Sequence, residues 1–208
     1  MWRTTPLHRR EHPGSMDDHA GPELPELPPD PSLDDVQPVD GGTGPLFHRR
    51  YRVCIRDTDM SPEDLMALVT RDPNQLAPTE FARFRKVTGE EGGIEVGDEF
   101  VVRMPGPWDG PVRVVDTTPT SFRFVTLAGH LEAGQIEFRA SRNDALVFTI
   151  ESWARSGDVL SKLFYGRLRM AKEVQLHMWT SFLEKGVKLS GGRMTGGVDI
   201  DTRRVDLD

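Results

Sequence analysis

The chain has 208 residues, of which 37% are hydrophobic, and it carries a formal net charge of −7. This length suits one ordinary domain plus a tail. About six of the seven net negative charges lie in residues 1–45, whereas residues 46–208 hold 23 Lys/Arg against 24 Asp/Glu. A nearly neutral domain lacks the basic surface of a nucleic-acid-binding protein, so we predict no nucleic-acid partner. No apolar run approaches the ~20 residues of a membrane span, which predicts no integral membrane segment.

Residues 1–45 predict a disordered leader. They contain nine of the 16 prolines, nine acidic residues and no sustained apolar pattern. Such a segment cannot bury enough surface to offset its ordering entropy. A docking peptide that uses the leucines of this segment is the alternative, and Met16 is a second candidate for the true first residue. The start lacks the apolar core of a secretory signal, and a single cysteine excludes an internal disulfide, so we predict a cytoplasmic protein.

From Phe47 onward the sequence predicts strands and one early helix. HRRYRVCIRD (48–57) alternates, with Tyr51, Val53 and Ile55 on one face. Ser61 as an N-cap, followed at once by proline and three residues later by aspartate, marks a helix start. Further strands are predicted at 81–89, 99–107, 111–117, twice within 122–141, and at 146–155. Six or seven strands at hairpin spacing predict one antiparallel sheet.

Residues 157–189 predict one long amphipathic helix. Its buried face recurs every three or four residues and comprises Leu160, Phe164, Leu168, Ala171, Gln175, Met178 and Phe182. Aromatic residues of consecutive strands share one face of the sheet, which should pack on this helix. The element order predicts an α+β helix-grip fold: a curved antiparallel sheet closed over the long helix. We expect this domain at residues 46–190 and a flexible tail at 191–208.

One motif, TLAGHLEAGQIEF (126–138), resembles the signature of an uncharacterised bacterial and plant family, the domain-of-unknown-function family numbered nineteen-ninety. The family pattern Thr-Leu-x-Gly-His-x-Glu-x-Gly-Glu is matched here, except that Gln135 stands where a glutamate is usual. The resemblance covers residues 47–189. It implies the START-like, helix-grip (SRPBCC-type) superfamily, which also contains lipid-transfer proteins, polyketide cyclases and pollen-allergen-like carriers. It implies no reaction, because function on such a fold depends on the cavity residues.

His130 and Glu132 are the candidate catalytic residues. They lie two apart, so in an extended chain they share a face. A carboxylate beside an imidazole can transfer protons near neutral pH. The alternative is structural: His130 caps the turn by bonding to the backbone, and Glu132 is solvated.

The candidate ligand-binding residues are Arg103, Trp108, His130, Glu132, Glu151 and Arg155. Trp108 lies on a proline-stiffened hairpin tip, which suits either a lid over a cavity mouth or a cover for the core edge. Arg103, Glu151 and Arg155 suit polar anchors, with plain surface exposure as the alternative. Three of the six histidines lie in the leader, and His48, His130 and His177 are scattered, without a His-x-x-x-His motif among them or paired cysteines, so no metal or cofactor is predicted.

Three functions stay open at this point. The first is a carrier or sensor that binds an apolar or amphipathic small molecule between sheet and helix. The second is a cyclase- or dehydratase-like enzyme in which His130 and Glu132 transfer protons. The third is a protein-interaction module that docks through the leader or the helix. The sequence leaves the ligand, the existence of a cavity, any catalysis and the oligomeric state open.

Overall fold

The computed structural model describes residues 5–14, 24–29, 35–80, 82–104, 109–157 and 165–206, with the backbone alone at 13–14 and 165–172. These ranges contain one sheet, whose strands are β1 (Leu7–Gly14), β2 (Thr43–Arg56), β3 (Arg83–Thr88), β4 (Glu99–Arg103), β5 (Asp109–Thr118), β6 (Ser121–Thr126), β7 (Glu132–Arg142), β8 (Leu146–Ser156) and β9 (Arg193–Val205). The α-helices are α1 (Pro62–Arg71) and α2 (Tyr165–Leu189), and short 3-10 turns occupy Val39–Gly41 and Pro73–Gln75.

Most neighbouring strands of the sheet are also neighbours in sequence. The spatial order is β1-β9-β2-β8-β7-β6-β5-β4-β3. Every pairing is antiparallel except that of β1 with β9, which is parallel. The helix α2 lies across one face of the sheet and packs on β2, β8 and β9. The protein therefore has the predicted helix-grip fold. None of the helices that the structure describes is long and apolar enough to cross a membrane.

The helix α1 begins where the sequence predicted. The Ser61 hydroxyl accepts a hydrogen bond from the Asp64 backbone N–H, and the Asp64 carboxylate accepts one from the Ser61 backbone N–H. This capping box satisfies two backbone donors that the first helical turn leaves unpaired. Leu65, Met66 and Val69 are buried in the main core, so α1 covers part of the sheet.

The core lies between α2 and the side of the sheet that faces it. Met178, Trp179, Phe182 and Leu183 are buried there. The ring centroid of Phe182 lies 5.4 Å from that of Phe138 on β7. The predicted face positions Met178 and Phe182 are thus confirmed as core residues. The predicted positions 160 and 164, and the side chains at 168 and 171, lie outside the described residues.

The structure corrects both predicted ends of the domain. Residues 7–14, predicted as part of a disordered leader, form β1, and residues 193–205, predicted as a flexible tail, form β9. The two strands pair from Leu7↔Val198 to Gly14↔Val205. The sequence of β1 has one large apolar residue, so its order comes from backbone hydrogen bonds that side-chain patterns do not reveal.

Two glycines hide the strand pattern of β9. Gly196 and Gly197 have φ angles of +80° and +90°, and the register with β2 shifts at this point. The extra residues form a β-bulge, for which glycine supplies the positive φ. Beyond the bulge, the buried residues Val198 and Ile200 alternate with acidic residues, as expected for a strand with one buried face.

The end of the predicted leader also packs on the domain. Val36 forms an isolated bridge with Leu127. A small second cluster of buried apolar residues comprises Val39, Leu46, Trp153 and Val205. Residues 35–45 therefore lie against the domain, because Val36 and Val39 of the predicted leader contact residues of the sheet.

Candidate functional site

The face of the sheet that meets α2 changes character along its length. On β8, Leu146, Phe148 and Ile150 are fully buried in the core. Two and four residues further along the same face, Ser152 and Ala154 line a cavity instead. Serine and alanine cannot fill the volume that phenylalanine and isoleucine fill, so space opens at this end of the interface.

The neighbouring strands change in the same direction. On β7 the positions that face α2 pass from Phe138 to Gly134 and Glu132, and on β2 they pass from Val53 to Arg49. The apolar half of the sheet–helix interface is defined here as Val53, Phe138, Phe148, Ile150, Phe182 and Leu183. The polar half is defined as Arg49, Glu132, Gly134, Ser152, Ala154 and Gln175.

A cavity of about 70 Å³ lies within the polar half. His130, Glu132, Gln175 and Trp179 line it, together with small residues of the sheet and apolar residues of β3 to β6. It has room for roughly two waters at ~30 Å³ each. That is well below the ~300 Å³ at which most small-molecule sites begin. The cavity alone is therefore too small for a ligand of ordinary size.

The backbone of its own turn holds the His130 ring. Nδ1 of His130 lies 2.9 Å from both the backbone N–H and the carbonyl oxygen of Glu132, so it accepts from the first in one tautomer and donates to the second in the other. Burial lowers the pKa of His130 below its ordinary value of 6.5, and the nearby Glu132 carboxylate opposes this effect without reversing it. His130 thus caps the turn as a neutral imidazole that lines the cavity.

Thr126 and Gly134 shape the hairpin that presents His130 and Glu132. The Gly134 backbone N–H donates to Oγ1 of Thr126 at 2.9 Å. A Cβ atom at Gly134 would lie 2.0 Å from the carbonyl oxygen of Trp153. Only glycine therefore allows β7 and β8 to approach this closely. These contacts explain why the motif needs a threonine and a glycine eight residues apart.

Glu132 connects the sheet to the helix. Its Oε2 accepts a hydrogen bond from Nε2 of Gln175 on α2 at 2.7 Å. Its Oε1 lies 3.7 Å from Nη1 of Arg49 on β2, an ion pair too long for a hydrogen bond. Within the described residues no hydrogen bond joins the side chains of Glu132 and His130. The two candidate catalytic residues are adjacent, but they are engaged by different partners.

A larger opening adjoins the polar half. This cleft of about 570 Å³ is lined by charged residues of β1, β2, β9 and α2, namely Arg9, Arg10, Glu11, Arg49, Glu173 and Arg204. We refer to it as the arginine cleft. Tyr51, Leu176 and Ile200 contribute to its walls. Because Arg49 lines the cleft and Glu132 lines the cavity, their ion pair lies between the two spaces.

Burial raises the pKa of Tyr51 to about 12, and the positive charge of Arg49 counteracts part of that rise. The Tyr51 hydroxyl therefore stays protonated across the physiological range, as a neutral hydrogen-bond donor on the cleft wall.

Two of the predicted ligand-binding residues lie on the other face of the sheet. Oε1 of Glu151 is 2.6 Å from Nε2 of His48, and Nε of Arg155 donates to the carbonyl of Gly44 at 2.8 Å. Glu151 lines an outer groove of about 510 Å³ that α2 does not contact. The structure therefore does not bring these two side chains to the sheet–helix interface.

Arg103 also lies apart from the interface. Arg103 is 59% exposed and pairs loosely with Asp109 at 3.9 Å. Trp108 lies outside the described residues. Gln135, which replaces the glutamate of the family pattern, donates from Nε2 to the carbonyl of Pro25 at 3.0 Å.

Sequence reasoning missed Arg49 as a site residue. The signal was present, because Arg49 has the same strand parity as Tyr51, Val53 and Ile55 and so falls on their buried face. A charged residue at a buried strand position is an exception that indicates a partner or a ligand. Gln175 carried a similar signal, as the one polar residue in the predicted apolar stripe of the long helix.

Solved structures that resemble this chain have the same fold. The di-domain ARO/CYC StfQ from the steffimycin biosynthetic pathway aligns with a TM-score of 0.51 and 8% identity over 71% of this chain, which spans about half (51%) of that structure. Ginseng major latex-like protein 151 from Panax ginseng aligns at 0.48 with 12% identity, over 69% of this chain and 97% of that one. A conserved protein from Geobacillus kaustophilus aligns at 0.47 with 15% identity, over 71% and 98%.

Sequence comparison identifies the family. No curated protein matches this chain. Residues 42–184, however, match the family described as Domain of unknown function (DUF1990). The matched range begins at β2, ends within α2, and includes the motif at 126–138 with its His130 and Glu132. It follows, as the sequence motif predicted, that this chain belongs to the DUF1990 family.

Proposed function

We propose that the protein binds an amphipathic small molecule at the polar half of the sheet–helix interface, with the arginine cleft as the entrance. The observation that carries this proposal is the change of side-chain size and polarity along the face of the sheet that meets α2. The apolar half is filled, whereas the polar half opens into a cleft of about 570 Å³. That volume falls in the ~300–1,000 Å³ range of small-molecule sites.

The walls of the cleft suit an amphipathic ligand. Leu176 and Ile200 offer apolar contact, while Arg49 and Tyr51 offer hydrogen-bond donors. A wholly apolar molecule would leave these donors without partners, which costs free energy when they are buried. The enzyme hypothesis has weaker support, since the His130 ring bonds to the backbone, whereas the Glu132 side chain bonds to Gln175 and forms an ion pair with Arg49.

Native mass spectrometry of the freshly purified chain tests this proposal. We expect a co-purifying small molecule, or uptake of the fluorescent amphiphile anilinonaphthalene sulfonate by the empty protein. Ser152→Leu should reduce uptake at least about tenfold, because leucine fills space at the floor of the polar half. Ser141→Leu, on the outer groove, is the matched control and should bind as the wild type does.

Two results would contradict the proposal. One is a bare mass together with no uptake of the probe. The other is equal loss of uptake in the Ser152→Leu and Ser141→Leu variants, which would place the probe elsewhere on the surface.

A further inference from the structure

We infer that the ligand carries an oxyanion, a carboxylate or a phosphate group, and that the Arg49 guanidinium and the Tyr51 hydroxyl bind it in the arginine cleft. This inference rests on the proposed function and names the chemical class of its ligand. It comes from Arg49 and Tyr51, which are neighbours on the face of β2 that meets α2. Both carry hydrogen-bond donors at positions where a core strand would carry apolar side chains.

Arg49 is a buried cation whose guanidinium makes no hydrogen bond to any of the described residues. It is only 8% exposed. Its one ion-pair partner among the described residues is Glu132, whose Oε1 lies 3.7 Å from Nη1 of Arg49. A guanidinium has five N–H donors in a fixed fork that matches the two oxygens of a carboxylate or phosphate. A bidentate oxyanion in the cleft would satisfy donors that make no hydrogen bond to any described residue.

The ring beneath Arg49 fixes the direction of its side chain. The guanidinium carbon lies 4.7 Å from the ring centroid of Phe47, a cation–π distance. Glu132 is itself held by Gln175, at 2.7 Å. At 3.7 Å from Nη1, the other oxygen of Glu132 makes no hydrogen bond with the Arg49 guanidinium. The fork therefore remains available to a ligand in the cleft.

Tyr51 supplies a second donor on the same wall. It is two residues from Arg49, so the two Cα atoms are ~6.6 Å apart along the strand. Its hydroxyl makes no hydrogen bond with any residue in the described ranges. With a pKa of about 12 it keeps its proton, so it can donate to an anion at every physiological pH.

The surrounding charges favour an anion over a cation. Four arginines line the cleft against two glutamates, in a chain whose formal net charge is −7. Arg9 of β1 adds a positive charge to the same wall as Tyr51. It lies opposite Ile200 of β9, and Ile200 lies opposite Tyr51 of β2. Arg9 is thus ~10 Å from Tyr51 across the sheet, within reach of a long side chain. A local excess of positive charge attracts anions to a cleft.

Three alkyl compounds with the same chain test the inference: dodecanoate, dodecyl phosphate and dodecanol, with inorganic phosphate as the free anion. Binding is measured by calorimetry on the full chain. We expect dodecanoate and dodecyl phosphate to bind at least about tenfold more tightly than dodecanol, and inorganic phosphate to bind much more weakly than dodecyl phosphate. Arg49→Gln should abolish the preference for the charged compounds and change dodecanol binding less than about twofold.

The adjacent exposed residue Arg50 lines the outer groove on the opposite face, so Arg50→Gln is the matched control and should keep the preference. If Arg49→Gln does not fold, Tyr51→Phe and Arg9→Gln replace it. The first removes only a hydroxyl and the second changes an exposed edge strand, and each should weaken binding of dodecanoate but not of dodecanol.

The outcomes separate the two proposals. Equal binding of dodecanol and dodecanoate, or equal loss of both in Arg49→Gln, would overturn the oxyanion inference and leave the proposed function standing. No binding of any alkyl compound would overturn the proposed function and the inference with it. Inorganic phosphate that binds as tightly as dodecyl phosphate would overturn the amphipathic ligand while supporting anion recognition by Arg49.

Discussion

The two halves of the sheet–helix interface are built from the same elements but serve different ends. In the apolar half, the rings of Phe138, Phe148 and Phe182 pack with centroid distances of 5.4 to 6.2 Å. In the polar half, Ser152 and Gly134 leave space, and Glu132 spans it to reach the helix. One continuous strand surface thus supplies stability at one end and a candidate binding site at the other. Four experiments test this difference between the two halves.

The largest effect is expected from truncation in the apolar half. Phe182 has 0% exposure and contacts four aromatic rings, so Phe182→Ala should lower the free energy of unfolding by about 3–5 kcal/mol. Urea denaturation measures this. Leu189→Ala, at an exposed position of the same helix, is the control and should cost under about 1 kcal/mol. A small effect of Phe182→Ala would mean that the apolar half is not the source of stability.

The next effect concerns the backbone of the polar half. Gly134→Ala places a Cβ against the carbonyl of Trp153 and should cost about 2–3 kcal/mol through forced separation of β7 and β8. Gly93→Ala is the matched control, since its nearest neighbour would lie at an ordinary 3.5 Å. Equal stability of the two variants would argue against close strand packing at the motif.

A smaller effect is expected from the ion pair between the cleft and the cavity. In a double-mutant cycle with Arg49→Gln and Glu132→Gln, we expect a coupling of roughly 1 kcal/mol, because the pair is largely shielded from water. The exposed pair Arg193–Asp57 is shorter, at 2.8 Å, yet it should couple by less than about 0.5 kcal/mol. Stronger coupling in the exposed pair would show that distance, not burial, controls these interactions.

The smallest effect is a pH dependence from His130. Its pKa is lowered in the folded protein by burial, so below 6.5 the unfolded chain binds more protons than the folded one. The free energy of unfolding should therefore fall as the pH drops through 6.5 towards the lowered pKa, and the slope from His130 should fade above about pH 7.5. His130→Asn keeps an acceptor for the Glu132 N–H and should flatten the acid side of the profile. Parallel profiles of variant and wild type below pH 6.5 would refute this assignment.

Local pattern and capping chemistry were enough to predict much of the fold. The alternation at 48–57 predicted β2, the Ser61 capping box predicted α1, and the helical stripe predicted the buried face with Met178 and Phe182. These features depend on residues near one another in sequence, so the sequence alone exposes them.

Features that depend on long-range pairing were not predicted. β1 has one large apolar residue and is held by the backbone of β9, whereas two glycines interrupt the apolar alternation of β9, which also pairs with β2. The candidate site was predicted in part, since the motif pointed to His130 and Glu132. The partners Arg49 and Gln175 come from β2 and α2, and only the three-dimensional arrangement brings them to the motif.

The position of β9 between β1 and β2 constrains the timing of folding. Among the described strands, β1 is made before all the others, whereas its partner β9 is made after all the others; His8 Nε2 and the Gly196 carbonyl, 2.6 Å apart, are separated by 188 positions. During synthesis on the ribosome, β1 and its Arg9 cannot pair with the sheet until β9 has emerged. The arginine cleft is thus completed only after β9 has left the ribosome, so a translation product truncated before β9 lacks it.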